Sequence, residues 1–195
     1  MAALRGCSHP RPRQHTEAPL NDNASRGLEL HLSTSSPGAI PTAVFEDEQT
    51  RHLNGATIAL KHYAPAHTDS DISVHFIEAD IIHIADTFWN GYYPFIDYST
   101  GGSIDGMIRA TEANLPKVTE TTIVIPGPGP VGDKSQLTLY RNLLVTVREK
   151  VAALKKQGKS LDEIVAAKLT AATDSQWGGG FMSPRQFIGL VYQGV

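Results

Sequence analysis

From Val44 onward the apolar positions fall into short runs with a period near two. Residues 56–64 (ATIALKHYA) and 72–77 (ISVHFI) are β-branched and aromatic with partial alternation, and each predicts a strand. Asn54-Gly55 joins RHL to ATIAL. Both central positions of the favoured two-residue turn need positive φ, so this pair predicts a hairpin. IIHIA at 81–85 is apolar enough for burial on both faces, and TTIVIP at 121–126 is a further strand stopped by the PGPGP turn.

A spacing of three and four takes over elsewhere. Ser103 caps IDGMIRATEAN, with Ile104, Met107, Ile108 and either Ala110 or Thr111 on one face. Asp133 starts a longer helix to Gln157, carrying Leu137, Tyr140, Leu144, Val147, Val151 and Leu154. Gly158 ends it, and Lys155-Lys156 complements its C-terminal dipole. Ser160 and Glu163 form a capping box for LDEIVAAK, and Pro184 opens RQFIGLVY. Strands, helix, strand and then helices predict a mixed α/β layer structure with helices on a sheet.

Residues 1–41 follow neither period. They hold five of the twelve prolines and are rich in Ser, Asn and Arg. Such a stretch buries too little apolar surface to offset its ordering entropy. We expect 1–20 to be disordered and 21–41 loosely attached, with a short helix or turn near Asn23–Leu30. This gives an irregular head over 1–37 and one domain over 38–195, in keeping with a length of 195 residues.

Charge and cysteine narrow the function classes. Seventeen basic against twenty acidic residues, a net charge of −3, leave no footprint for nucleic acid or an anionic membrane. Cys7 is alone, so no intrachain disulfide forms and a reducing compartment is expected. No secretory leader is visible, and no apolar run approaches the ~20 residues of a membrane span. A soluble, cytoplasmic chain follows as the expectation.

Phosphate and nucleophile motifs are missing. No Gly-x-x-x-x-Gly-Lys-Ser/Thr segment exists, and Pro126, Pro128 and Pro130 lack the N–H donors that a phosphate cradle needs. There is no Gly-x-Ser-x-Gly elbow, and Cys7 lies in the head. Metal chemistry is the better lead among the eight histidines. His67 follows one predicted strand and Asp86 another, at strand ends whose loops share a cleft in α/β sheets. An imidazole and a carboxylate there suit zinc; a turn histidine and a turn or capping aspartate explain the same spacing. His62, His75 and His83 lie inside strands and should pack with a ring nitrogen hydrogen-bonded. His52 reads as surface, His31 as loop, and His9 and His15 belong to the head.

The run from Gly38 to Val195 resembles the metallo-β-lactamase superfamily of zinc hydrolases. ALKHYAPAHTDSDISVHF, ADIIHIADTFWNGYYPFIDYSTGGSIDGMIRA and TTIVIPGPGPVGDKSQLTLYRNLL carry the resemblance, which is to its single-domain hydrolases of uncertain substrate. It implies an αββα sandwich and one or two zinc ions. His67 would ligate the first zinc and Asp86 the second, with Ala85 where relatives have glycine. Pro128 stands where relatives place a further histidine ligand. The His-x-His-x-Asp-His segment expected upstream is absent. The resemblance therefore implies an incomplete sandwich with a truncated start, and an exposed sheet edge through which the chain would self-associate. The aromatic stretch 87–102 would lie beside the metals, with Trp89 and Tyr93 as candidate contacts to a small-molecule substrate. The same aromatics would serve equally to hold a long loop onto the core, and Asp97 would be either a partner of the metal ligands or a turn residue. Two readings follow: a hydrolase-like protein of unknown substrate with an incomplete metal site, or a non-catalytic remnant or interaction protein of the same fold.

Overall fold

A computed structural model describes residues 43–63 and 65–195. The head over 1–37, with Cys7, His9, His15 and His31, lies outside the described residues.

Five strands form one sheet: β1 (Glu48–Leu53), β2 (Ala56–Tyr63), β3 (Asp71–Phe76), β4 (Ile81–His83) and β5 (Ile123–Ile125). They lie side by side in chain order. The first three pairings are antiparallel and β4–β5 is parallel, with Ile82 opposite Val124. Asn54 (φ 51°) and Gly55 (φ 80°) make the hairpin turn that their chemistry predicts. β4 stops at His83, short of the predicted 85, because Ala85 turns to φ 46° and leaves the ladder.

The helices are α1 (Ile104–Asn114), α2 (Lys134–Lys156), α3 (Leu161–Ala166), α4 (Asp174–Trp177) and α5 (Pro184–Gly194). The starts of α1, α2 and α3 match the caps read from the sequence, and α5 starts at the predicted Pro184 with Ser183 as its cap. The Ser103 hydroxyl accepts from Gly106 N–H, and reciprocal capping boxes join Asp133 to Gln136, Ser160 to Glu163 and Ser183 to Gln186. No helix among the described residues is long and apolar enough to cross a membrane.

Strand alternation gives the sheet two unlike faces. One carries Tyr63, Ile82 and Val124 into the core with Ile104 and Met107 of α1 and Leu137, Tyr140, Leu144, Val147 and Val151 of α2. Each such side chain contributes about 1.5–3 kcal/mol by leaving water. The opposite face shows Ile58, Leu60, Ile72, Val74, Phe76, Ile81, Ile123 and Ile125, none of which packs into that core.

A polar knot fastens the sheet to α1. The Tyr63 hydroxyl donates to Asn114 Oδ1 at 2.7 Å and accepts from Lys117 Nζ at 3.2 Å and Ser73 Oγ at 3.4 Å. Asn114 is fully buried and also donates to the Ala110 carbonyl. Tyr63→Phe should strand Asn114 Oδ1 in the interior and cost about 1–3 kcal/mol, read as a lower urea midpoint or Tm. A loss below about 0.5 kcal/mol would show that the knot contributes no more than an ordinary surface contact.

Candidate functional site

Strand direction gathers the site. β2, β4 and β5 run the same way, so the segments that leave their C-terminal ends meet at one sheet edge. These are the loop 65–70 with His67, the turn 85–87 with Asp86, and the Pro126–Pro130 turn. β3 begins at the same edge with Asp71, opposite Tyr63.

His67 and Asp86 come together there. His67 Nδ1 is 3.9 Å from Asp86 Oδ2 and 3.7 Å from Asp71 Oδ1. The His67 and Asp71 side chains are only 16% and 5% exposed, whereas Asp86 is 44% exposed. Asp71, which sequence reading did not single out, is an anchor for the loop. Its Oδ2 accepts the Thr68 N–H at 2.7 Å and the Thr68 hydroxyl at 3.3 Å. Burial pushes the Asp71 carboxyl above its ordinary range, against the opposing pull of the Thr68 N–H and of His67.

Backbone bonds hold the three segments in place. The His67 carbonyl accepts from Asp97 N–H at 2.9 Å, the Ala66 carbonyl from Ser103 N–H at 2.8 Å, and the Thr100 carbonyl from Asp69 N–H at 2.9 Å. The Ala85 carbonyl accepts from Gly127 N–H at 2.8 Å, and the Pro128 carbonyl from Asn90 N–H at 3.1 Å. Gly127 is required by close approach: a Cβ there would stand 2.2 Å from Asp86 Oδ1. The Pro126–Pro130 turn thus abuts the Asp86 carboxylate while its own side chains supply no ligand atom.

Aromatic rings surround His67. Trp89 lies 6.3 Å away and Phe95 5.9 Å away, edge-on. The Trp89 indole N–H donates to the Asp86 carbonyl at 3.0 Å. Tyr93 sits elsewhere: it is fully buried and stacked on Phe187 at 4.8 Å. Its hydroxyl donates to Asp174 at 2.8 Å, and burial pushes it up to about 12. Tyr93 fastens the aromatic loop to the helices. Asp97 caps the 98–100 turn; burial would raise its carboxyl, but hydrogen bonds from Ser99 and Thr100 hold it below its ordinary range. Two of the three strand histidines pair as their positions suggested: His62 bonds the carbonyls of Glu46 and Asp69, and His83 Nδ1 accepts from Ala85 N–H; the His75 ring makes no hydrogen bond to another described residue.

Zinc holds its nitrogen and oxygen donors about 2.0–2.2 Å away, so two donors on one tetrahedral ion stand about 3.4 Å apart. The His67–Asp86 separation is close to that spacing, and the pair fits one edge of such a site. A catalytic zinc takes three protein ligands and an open position. Among the described residues no group of three His, Cys, Asp or Glu side chains is disposed to hold a metal. Asp71 is committed to Thr68, and Pro128 has no donor. These residues do not fit a catalytic zinc centre.

No protein-family description and no curated protein sequence matches the chain. Among solved structures it is similar to the stereoselective inverting sec-alkylsulfatase Pisa1 from Pseudomonas sp. The TM-score is 0.61 at 14% identity, over 77% of this chain and 26% of that one. A double mutant of that sulfatase gives the same TM-score at 15% identity. A fainter likeness, TM-score 0.46 at 19% identity, joins 53% of this chain to 48% of the BLEG-1 B3 metallo-β-lactamase. The chain therefore spans about a quarter of the length of the sulfatase that it matches. The likeness to the sulfatase is one of fold alone: a mixed α/β structure that overlaps part of that protein.

Ala85, which precedes Asp86, is a non-glycine residue in the left-handed region, at φ 46°. That conformation costs an L-residue about 1–2 kcal/mol, part of which glycine would return through its looser unfolded chain. Ala85→Gly should therefore stabilise the domain by about 0.5–1 kcal/mol, a rise of about 1–4 °C in Tm. A fall in Tm would show that the turn is not strained.

Proposed function

We propose that this chain is a metallo-β-lactamase-fold hydrolase-like protein whose metal site is incomplete. The observation that carries the reading is the meeting of His67 and Asp86 against a Pro126–Pro130 turn that offers no third ligand. The substrate is a small molecule held at this sheet edge. The fold class supports the general chemistry, and the donor count sets its limit: without three ligands and an open position, no metal-bound water is activated near neutral pH.

The second reading, a non-catalytic protein of the same fold, is favoured by the same donor count. Turnover separates the two. Purified chain should carry less than one equivalent of zinc and hydrolyse β-lactams, thioesters and phosphoesters no faster than metal-free controls. Stoichiometric zinc with turnover abolished by His67→Ala would instead establish an active hydrolase.

Pro128→His tests the preserved edge. By adding a donor to the turn that abuts Asp86, it should tighten zinc binding in calorimetric titration by at least about tenfold, or about 1.4 kcal/mol. His67→Ala in the Pro128→His background should abolish that gain. Unchanged zinc affinity in Pro128→His would mean that the turn no longer faces the pair.

A further inference from the structure

We propose that Phe181 and Phe95 form an apolar subsite beside His67, taking the alkyl or aryl part of a substrate whose polar group meets the His67–Asp86 pair. This inference rests on reading that pair as the site, and it adds the class of group recognised and a residue outside every sequence motif considered above.

The rings make a continuous path outward. Trp89 and Phe95 flank His67, and Phe95 in turn meets Phe181 edge-on at 6.4 Å. Phe181 is 57% exposed although its neighbours on either side are core residues: Trp177 and Met182 are 3% and 5% exposed. The short segment between them is pinned at both ends and presents one aromatic ring to solvent.

The segment is also seated. A Cβ on Gly180 would stand 2.3 Å from the Tyr92 ring, so only glycine lets this backbone lie flat on the 87–102 loop. The Tyr93 N–H donates to the Trp177 carbonyl at 2.9 Å, which ties the same two segments together. More than half of the Phe181 ring stays open to solvent, and apolar surface next to a few convergent polar groups is the usual make-up of a small-molecule site. His67 and Asp86 supply those polar groups at the inner end. Phe95 and Phe181 supply the apolar outer end, where a hydrocarbon group would lie flat against one ring and edge-on to the other.

The test uses benzyl alcohol and its 4-methyl, 4-ethyl and 4-propyl homologues, titrated into the full chain in the presence of EDTA. Binding is read from the indole N–H signals of Trp89 and Trp177 in nitrogen-15 NMR spectra, the chain having two tryptophans. The Trp89 signal should move and the Trp177 signal should not. Affinity should rise about fourfold for each added methylene. Phe181→Ala, at an exposed position that the fold does not need, should flatten the series to less than about twofold per methylene, and Phe181→Leu should keep most of it. A Trp89 signal unmoved by the whole series, or a Phe181→Ala series as steep as that of the parent, would overturn the subsite. Because the titration is free of metal, it is separable from the zinc measurement. A steep series alongside a Pro128→His variant that gains no zinc affinity upholds the apolar subsite and removes the metal-edge reading; a gain in zinc affinity with a flat series does the reverse.

Discussion

The hydrogen bond from Gly127 N–H to the Ala85 carbonyl is the contact on which the sheet edge depends. It is made possible by two departures from ordinary backbone. Ala85 takes a left-handed conformation that ends β4 early and turns its carbonyl toward the neighbouring strand's exit. Gly127, having no Cβ, lets that exit approach until it touches the Asp86 carboxylate. Were either residue to relax, the Pro126–Pro130 turn and the Asp86 turn would separate, and His67 would face Asp71 alone. The meeting of these two turns is held by backbone, and the Asp71 carboxylate adds a side-chain anchor for the His67 loop.

That frame explains why an edge of metal-site geometry coexists with a deficient donor set. The three segments are fastened by main-chain bonds and by the Tyr63–Asn114 knot beneath them. None of these uses the chemistry of position 128. A proline there satisfies the local backbone, since its carbonyl still accepts from Asn90 N–H and its missing N–H leaves no orphan donor. The donor set at this sheet edge and the stability of the fold therefore rest on different contacts. Likeness of fold to a sulfatase at 14% identity therefore says nothing about the chemistry retained.

Much of the fold was legible because its signals are local. Asn54-Gly55, the capping residues Ser103, Asp133 and Ser160, Pro184 at the start of α5, and the three-four spacing along α2 each act within a few residues, so neighbours in sequence suffice to read them. His67 and Asp86 were legible as strand-end residues. Asp71 was not, because its value lies in burial and in its bonds to Thr68, which a strand's first residue does not advertise. Tyr93 was placed among candidate substrate contacts on the strength of its aromatic neighbours, yet Phe187, far along the chain, claims its ring. Phe181 carried no signal at all: a lone phenylalanine after three glycines reads as loop until the fold sets it beside Phe95. α4, a single turn, was likewise too short for any periodicity to show.

The parallel pairing of β4 with β5 has a kinetic meaning as well. The antiparallel strands β1 to β4 close over short connections, so their contacts cost little loop entropy and can form early. Ile82 meets Val124 only after α1 and its flanking turns have been laid across the sheet. Contacts over such long separations are the slow ones in folding. The Asp86 turn and the Pro126–Pro130 turn lie on opposite sides of that late junction. A chain that has folded its hairpins but not yet closed this crossover would have β1 to β4 paired and the Asp86 turn still without its Pro126–Pro130 neighbour.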